Sequence, residues 1–180
     1  MSTGMNFTDP KKNVQQMGLR AGMKVGDFGA GSGYYAISAA SIVGKDGRVY
    51  AIDVQEDILK HVRYMAEQAR LHNIETIWGN FEKPHGAKIS DNVLDAAILS
   101  NTLFQLDDKK GALVEIKRTL KSGGILLVVD WAGAYGGIGP SAENVIPEHR
   151  AEELCASAGF NKTQTFVPGP HHYGLIFSAS

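Results

Sequence analysis

The sequence predicts an α/β fold, a mostly parallel sheet with helices on both faces. Three observations carry that prediction. Short apolar runs of strand character alternate with stretches whose apolar residues recur at helical spacing. A glycine turn, Gly29-Ala30-Gly31-Ser32-Gly33, follows the first apolar run and opens the first long helix. An acid, Asp53, ends the second strand-like run about 20 residues after that turn begins.

The elements follow in order. Residues 1–8 are polar and expected to be mobile. Asp9-Pro10 reads as an N-cap with proline at the first helical position, so a short helix is expected over 10–17, with Val14 and Met17 on one face. Residues 23–28 form the first strand and carry Asp27. A helix over 33–43 would turn Ile37, Ala40 and either Ile42 or Val43 to the sheet. Gly44-Lys45-Asp46-Gly47 is a turn, and residues 48–53 are the second strand. The clearest helical periodicity spans 57–72, with Ile58, Val62, Met65, Ala66 and Ala69 inward. Residues 74–78 are the third strand. The nearly continuous apolar run 94–100 reads as a central, buried strand. Asp107 or Asp108 caps a helix to residue 120, with Leu113, Ile116 and Leu120 inward. Residues 121–124 are a turn and 125–129 the fifth strand. A helix over 147–158 closes at Gly159. Two last strands, 160–166 and 172–178, are joined only by Pro168-Gly169-Pro170, and so short a link demands an antiparallel pair. Trp78 and Phe28 read as core residues.

The chain has 180 residues, enough for one domain with a substantial core. Neither a repeat nor a second domain is visible. Net charge is −1, which offers no bulk attraction to nucleic acid or to an anionic membrane. The apolar runs are far short of a membrane span, and residues 1–13 lack the pattern of a signal peptide. Cys155 is the only cysteine, which excludes an internal disulfide and a cysteine metal site. A cytoplasmic home is expected.

The spacing inside the glycine turn narrows the cofactor. Gly29, Gly31 and Gly33 allow a tight turn and close approach of a ligand to the backbone, and the N–H groups of such a turn can hold an anionic or polar group. A dinucleotide fingerprint would need its third glycine at position 34, which is Tyr34. Asp53 is placed to accept both ribose hydroxyls of an adenosine-containing cofactor. The observed run, Asp27-Phe28-Gly29-Ala30-Gly31-Ser32-Gly33, resembles the first motif of the class I S-adenosylmethionine (SAM) methyltransferases. With Asp53, the strand at 94–100 and Leu120-Lys121-Ser122-Gly123-Gly124, the chain is similar to the small, single-domain type 11 enzymes related to ubiquinone and menaquinone biosynthesis.

That resemblance, which covers roughly residues 18–180, implies a Rossmann-like seven-stranded sheet of order 3-2-1-4-5-7-6 with an antiparallel last strand. It implies SAM as cofactor and roles for particular residues. Gly29, Ala30, Gly31 and Gly33 would pass against the methionine part, and Asp27 would reach its ammonium directly or through water. Asp53 would hold the ribose, Val54 would pack on the adenine, and the backbone N–H of Phe81 would meet a ring nitrogen. Similar enzymes carry aspartate where Asn80 stands; the asparagine oxygen can accept the same adenine hydrogen bond, or it can form a turn. Ser100 would offer its carbonyl to the ammonium. Asp27 has a second reading, as a cap on the following helix.

Methyl transfer asks little of side chains, since positioning and exclusion of water supply most of the acceleration. Where the acceptor must lose a proton, the candidates for a base are Asp130, His149, His171 and His172. A histidine pair at a turn is also an ordinary surface feature, and Gln105 suits either substrate binding or a solvated helix entry. The segment before Gly18 and the glycine-rich residues 132–146 are expected to enclose a small, apolar or lipid-like acceptor. A lone cysteine argues against arsenite as acceptor. Ser100-Asn101-Thr102-Leu103 lacks the prolines of DNA amino-methylating enzymes. A non-catalytic SAM-binding module, a protein isoaspartyl methyltransferase and a nicotinamide-dependent dehydrogenase are the competing readings.

Overall fold

The structure, a computed structural model, describes residues 8–180. Residues 1–7 of the segment expected to be mobile lie outside the described residues. One seven-stranded sheet runs through the molecule in the order β3-β2-β1-β4-β5-β7-β6. Its strands are β1 (Lys24–Phe28), β2 (Arg48–Asp53), β3 (Ile74–Trp78), β4 (Leu94–Ser100), β5 (Leu120–Trp131), β6 (Phe160–Phe166) and β7 (His172–Ala179). β1 pairs in parallel with both β2 and β4, so strand order reverses between β1 and β4. β7 is antiparallel to β5 and to β6, as the short proline link requires.

The helices are α1 (Pro10–Gln15), α2 (Tyr34–Val43), α3 (Glu56–Gln68), α4 (Lys109–Thr119) and α5 (Glu148–Ser157). One apolar layer joins Val14, Met17, Ala36, Ala40, Val43 and Val62 to Val25, Val49, Ile98 and Val129 of the sheet. The opposite layer joins Leu113, Ile116, Ala151 and Cys155 to Leu99, Leu126, Val128, Leu175 and Phe177. β4 is buried on both faces by this arrangement, which is why its sequence is a nearly continuous apolar run, with the partly exposed Asp95 near its start.

Local chemistry sets the element ends. The Asp9 side chain accepts the Lys12 N–H at 3.2 Å and starts α1 with proline at its first position. Asp108, and not Asp107, caps α4 through the Gly111 N–H at 2.8 Å. α3 stops at Gln68, short of residue 72, because Arg70 turns left-handed at φ 54° and the Leu71 N–H bonds back to the Ala66 carbonyl. Its buried residues are Leu59, Val62 and Ala66, while Ala69 is exposed. α2 buries Tyr35, Ala36, Ala39, Ala40 and Val43, leaving Ile37 and Ile42 only half-buried. Leu120 belongs to β5; the ladder jumps from the Leu94–Leu120 pair to Ala96–Ile125, so the expected turn 121–124 stands out from the pairing with Gly123 at φ 74°.

Two polar clamps hold the strand ends in place. Glu115 of α4 is buried and accepts the His85 and Ala87 N–H groups at 3.0 and 3.1 Å while pairing with Arg118. Arg118 also reaches Asp91 and the Ile89 carbonyl. This ties the segment between β3 and β4 to α4. On the other face, Asn13 donates to the Tyr35 hydroxyl at 2.9 Å, locking α1 against α2.

Candidate active site

A cavity of about 650 Å³ opens at the carboxyl ends of β1, β2, β3 and β4, at the point where strand order reverses. Its floor is the glycine turn after β1. Gly29 and Gly31 sit at φ 79° and 49°, the left-handed region that favours glycine. A Cβ on Gly29 would strike the Thr102 side chain at 2.6 Å, whereas one on Gly31, which lines the cavity, would have only the Gly29 carbonyl near, at 3.8 Å. Gly33 is the one glycine of the predicted set that does not line the cavity; it opens α2 and brings that helix close to Val62 of α3.

The turn is not an open nest of N–H groups. Gly29 and Ala30 both donate to the Ile52 carbonyl, at 2.9 and 3.1 Å, and Gly33 donates to the Ala30 carbonyl at 2.9 Å. The Gly31 N–H reaches Asp53 Oδ2 at 3.4 Å. Of the N–H groups expected to be able to hold an anionic or polar group, those of Gly29 and Ala30 are therefore taken by β2 and that of Gly33 by the turn itself.

Asp53 ends β2 at the cavity wall. Its other oxygen, Oδ1, accepts the Gln55 N–H at 3.0 Å. Each carboxylate oxygen keeps a lone pair for a ligand hydroxyl. Val54 stands half-exposed beside it, and Ile58 of α3 lines the same wall. After β3 come Asn80, Phe81 and Glu82. The Asn80 oxygen accepts the Glu82 N–H at 3.0 Å, which is the turn-forming role weighed against the adenine role. Phe81 is buried edge-on against Phe28, with ring centroids 5.4 Å apart. Glu82 in turn accepts the Asp108 N–H at 2.6 Å, joining this wall to the start of α4. Trp78 is exposed, contrary to expectation: β3 is an edge strand, so the ring lies outside, donating Nε1–H to the Val54 carbonyl at 2.9 Å with Lys88 Nζ 4.7 Å from the ring centroid.

Asp27 lies beneath the turn, 1% exposed. One carboxylate interaction goes to the Ala36 N–H in the first turn of α2, so the capping role is realised. Its Oδ2 has no partner. Burial, with repulsion from Asp53, pushes its pKa well above the usual carboxylate range. Ser100 and Asn101, at the end of β4, also carry unpartnered buried oxygens, Oγ and Oδ1. The Ser100 carbonyl accepts the Thr102 hydroxyl at 2.9 Å. Gln105 lines the cavity and donates to the Asn101 carbonyl at 2.7 Å. Thr8 and Pro10 complete the rim from the α1 side.

The base candidates fall elsewhere. Asp130 is buried, and its oxygens accept the Trp131 and Phe104 N–H groups at 2.8 and 3.2 Å, with Leu103 contributing as well. It holds the short 3-10 turn Leu103–Gln105 in place, and burial lifts its pKa to about 6. His172 is buried with its ring 4.3 Å from that of Trp131. Its Nδ1 faces the Pro170 carbonyl at 2.9 Å, which assigns the neutral ring's proton to Nδ1 and leaves Nε2 a bare lone pair without a partner. Burial lowers the His172 pKa. His171 is exposed at φ 68° and stacks on Tyr135 at 4.0 Å. His149 is exposed on α5. None of these four lines the cavity, nor does any residue of 132–146. That loop packs instead around Trp131, with its Tyr135 ring 6.4 Å away.

The lining has a clear electrostatic character. It includes Asp27, Asp53 and Glu82, and among the described residues it includes no lysine, arginine or histidine. Among those residues no three His, Cys, Asp or Glu side chains gather as a metal site would require. An acid-lined cleft without a basic group accommodates a cation and disfavours a phosphate-bearing ligand. Gln55, Ile58 and Glu82 were not placed in the site by the sequence, where Ile58 read only as an inward residue of its helix; Asn101 and Thr102 were expected there from their position after the fourth strand.

The fold and the cleft define a nucleoside-cofactor domain of the doubly wound α/β class. A family model described as a methyltransferase domain matches residues 19–167, and the chain belongs to that family. The family's cofactor is SAM, and the donor set fits it: an acid at the tip of β2, an unpartnered buried oxygen under the turn and no basic side chain in the lining. Over 133 residues the chain is 30% identical to a ubiquinone/menaquinone biosynthesis C-methyltransferase of Marinomonas sp., covering 73% of this chain and 52% of that protein. It is 33% identical over 121 residues to a demethylmenaquinone methyltransferase of Listeria welshimeri, covering 67% and 50%. The chain thus spans about half the length of the curated relatives it matches. A SAM-dependent methyltransferase from Aquifex aeolicus superposes with a TM-score of 0.87 at 29% identity, covering 97% of this chain and 91% of that one.

Proposed function

We propose that this chain is a SAM-dependent methyltransferase acting on a small, uncharged or lipid-like acceptor. The observation that carries the reading is the acid-lined, base-free cleft at the strand ends of a chain belonging to the methyltransferase family. Bound SAM supplies a methyl group already activated on a sulfonium, transferred in line to a nucleophile.

The chain's own residues bind and orient. Asp53 accepts the ribose hydroxyls while the Gln55 and Gly31 N–H groups hold its carboxylate still. Val54 and Ile58 pack one side of the adenine, and Phe81 meets it with its backbone N–H. Asn80 keeps one lone pair for the adenine amine beside the bond from Glu82. The loop through Gly29, Ala30 and Gly31 passes along the methionine part, whose ammonium is met by Asp27 and the Ser100 carbonyl. The segment before Gly18, whose Thr8 and Pro10 line the cavity, and the loop 132–146 close over the acceptor and exclude water. The acceptor class follows from the relatives' names and from a cleft with nothing to hold phosphate. A net charge of −1 and the same cleft argue against nucleic acid. The sole cysteine, free and buried, agrees with a reducing cytoplasm, and no helix among the described residues is long and apolar enough to cross a membrane.

Titration calorimetry with SAM, S-adenosylhomocysteine and NAD tests the cofactor. Binding of the first two and not the third is expected; the reverse sinks the reading. Incubation with methyl-labelled SAM and a metabolite extract tests the reaction. Label moving to an apolar small molecule supports it, and tight SAM binding without transfer to any extract component favours a binding module.

A further inference from the structure

We propose that Asp27 selects the amino-acid end of the cofactor by proton exchange: it stands as a neutral acid in the cofactor-free cleft and releases its proton when the ligand's ammonium arrives. The inference rests on the SAM reading and adds a linkage to it. It starts from geometry. Asp27 is 1% exposed, lines the cavity, and has one carboxylate oxygen with no partner.

The surroundings offer an ionised Asp27 almost nothing. From β2 it faces Asp53, a like charge; from beyond β3, Glu82 lines the same cavity. α2 contributes Tyr34 and Tyr35 and carries no charged residue. β4 and the loop after it contribute Ser100, Asn101, Thr102 and Gln105, all uncharged, and α3 contributes Ile58. From the α1 side come Thr8 and Pro10, while Lys12 is exposed and paired with Asp9 at 3.3 Å. The single favourable contact is the Ala36 N–H. A buried carboxylate without a cation takes up a proton instead, and burial and Asp53 both push its pKa up, as noted above.

The ligand reverses this balance. An ammonium beside Oδ2 brings both a donor and a positive charge, and favours the carboxylate. The proton passes from Asp27 to solvent, no covalent bond changes, and the site gains an ion pair in place of a neutral acid. A nucleoside that lacks the amino-acid part gives Asp27 no reason to ionise. The exchange therefore distinguishes SAM and S-adenosylhomocysteine from 5′-methylthioadenosine, which shares the adenine, ribose and sulfur.

Calorimetry on the whole chain reads this without an acceptor. S-adenosylhomocysteine is titrated near pH 6, where its ammonium is charged, in buffers of different ionisation enthalpy; the dependence of the measured heat on the buffer counts protons. The expected result is net proton release on binding of S-adenosylhomocysteine, and an affinity that falls as pH is lowered, because the ligand meets the ionised form of Asp27. Release near zero is expected for 5′-methylthioadenosine and for S-adenosylhomocysteine with Asp27→Asn. Should Asp27→Asn fail to fold, infrared spectroscopy of the native chain gives the same answer: a protonated-carboxyl carbonyl band present before ligand and lost after it. Tight binding of S-adenosylhomocysteine with no proton release, or equal release by Asp27→Asn, overturns the exchange and leaves the cofactor reading standing. No binding of either compound to the native chain defeats both.

Discussion

Asp53 anchors a loop and also faces the cavity in which we place the cofactor ribose. Its carboxylate receives the Gln55 N–H at 3.0 Å and the Gly31 N–H at 3.4 Å while facing the cavity. Asp53→Ala is therefore expected to weaken SAM binding by about 1.5–3 kcal/mol, the range for hydrogen bonds to a charged group. Calorimetry gives the affinity, and a Tm measured alongside it separates lost ligand contacts from a loosened turn. Unchanged affinity would remove the ribose role. Asp130 predicts a pH dependence of stability. Its folded pKa of about 6 lies above the ordinary 3.8, so between those values the folded state holds more protons than the unfolded one. Stability from this group is thus fully present below the unfolded pKa and declines as pH rises through about 6. The change is roughly 3 kcal/mol at most, since each pH unit of difference corresponds to about 1.4 kcal/mol. Denaturant titrations from pH 7 down to pH 5 should show the gain in the native chain and not in Asp130→Asn. That variant also loses an acceptor for the Trp131 or Phe104 N–H, so its overall stability should be lower.

At the scale of elements, the glycine turn and the segment between β3 and β4 form the cavity walls, and each has its own failure mode. Gly29→Val should unfold or misplace the turn, because the position is left-handed and its Cβ would meet Thr102 at 2.6 Å. Gly31→Val should stay folded, losing about 1–2 kcal/mol for the left-handed backbone, yet fail to bind SAM because the position lines the cavity. A folded Gly31→Val protein with native affinity, measured by calorimetry after circular dichroism, would show that the cofactor does not cross the turn. The opposite wall depends on Glu115. Removing it strands Arg118 and leaves the His85 and Ala87 N–H groups without their acceptor. Glu115→Ala should cost about 3–5 kcal/mol, the range for breaking a buried pair, and should loosen the wall that bears Asn80 and Phe81. Chemical denaturation measures the first effect and SAM affinity the second.

Among the described residues there is no separate substrate domain, and we propose that closure over an acceptor falls to the segment before Gly18 and the loop 132–146. Of the first, the described residues Thr8 and Pro10 line the cavity, while residues 1–7 lie outside the described residues; the second packs around Trp131 and stops short of the cavity. Glycines at 133, 136, 137 and 139 make ordering of that loop entropically costly, which favours closure after ligand binds. Hydrogen exchange with S-adenosylhomocysteine and acceptor present should show new protection in both segments. Protection confined to the glycine turn would mean that the acceptor enters an open cleft.

The local pattern of the sequence determined the elements and the acids. A nearly continuous run of apolar residues marked β4 as buried on both faces, and the short Pro168-Gly169-Pro170 link forced an antiparallel final pair. Asp27 and Asp53, near the ends of consecutive strands, both line the cavity. Periodicity, however, reports only what repeats along one element. Lateral neighbours decided the rest. Which face α3 presents depended on the sheet beneath it, so Leu59 took the buried place and Ile58 turned to the cavity. Trp78 stayed outside because β3 became an edge. The Gly29 and Ala30 N–H groups were consumed by the Ile52 carbonyl, a residue on another strand. Asp130 and His172, candidate bases by residue type, are buried where β7 folds back beside β5. A side chain's type and spacing are properties of the chain, whereas its hydrogen-bond partners and its desolvation are set by strands distant in sequence, and only the folded sheet brings those together.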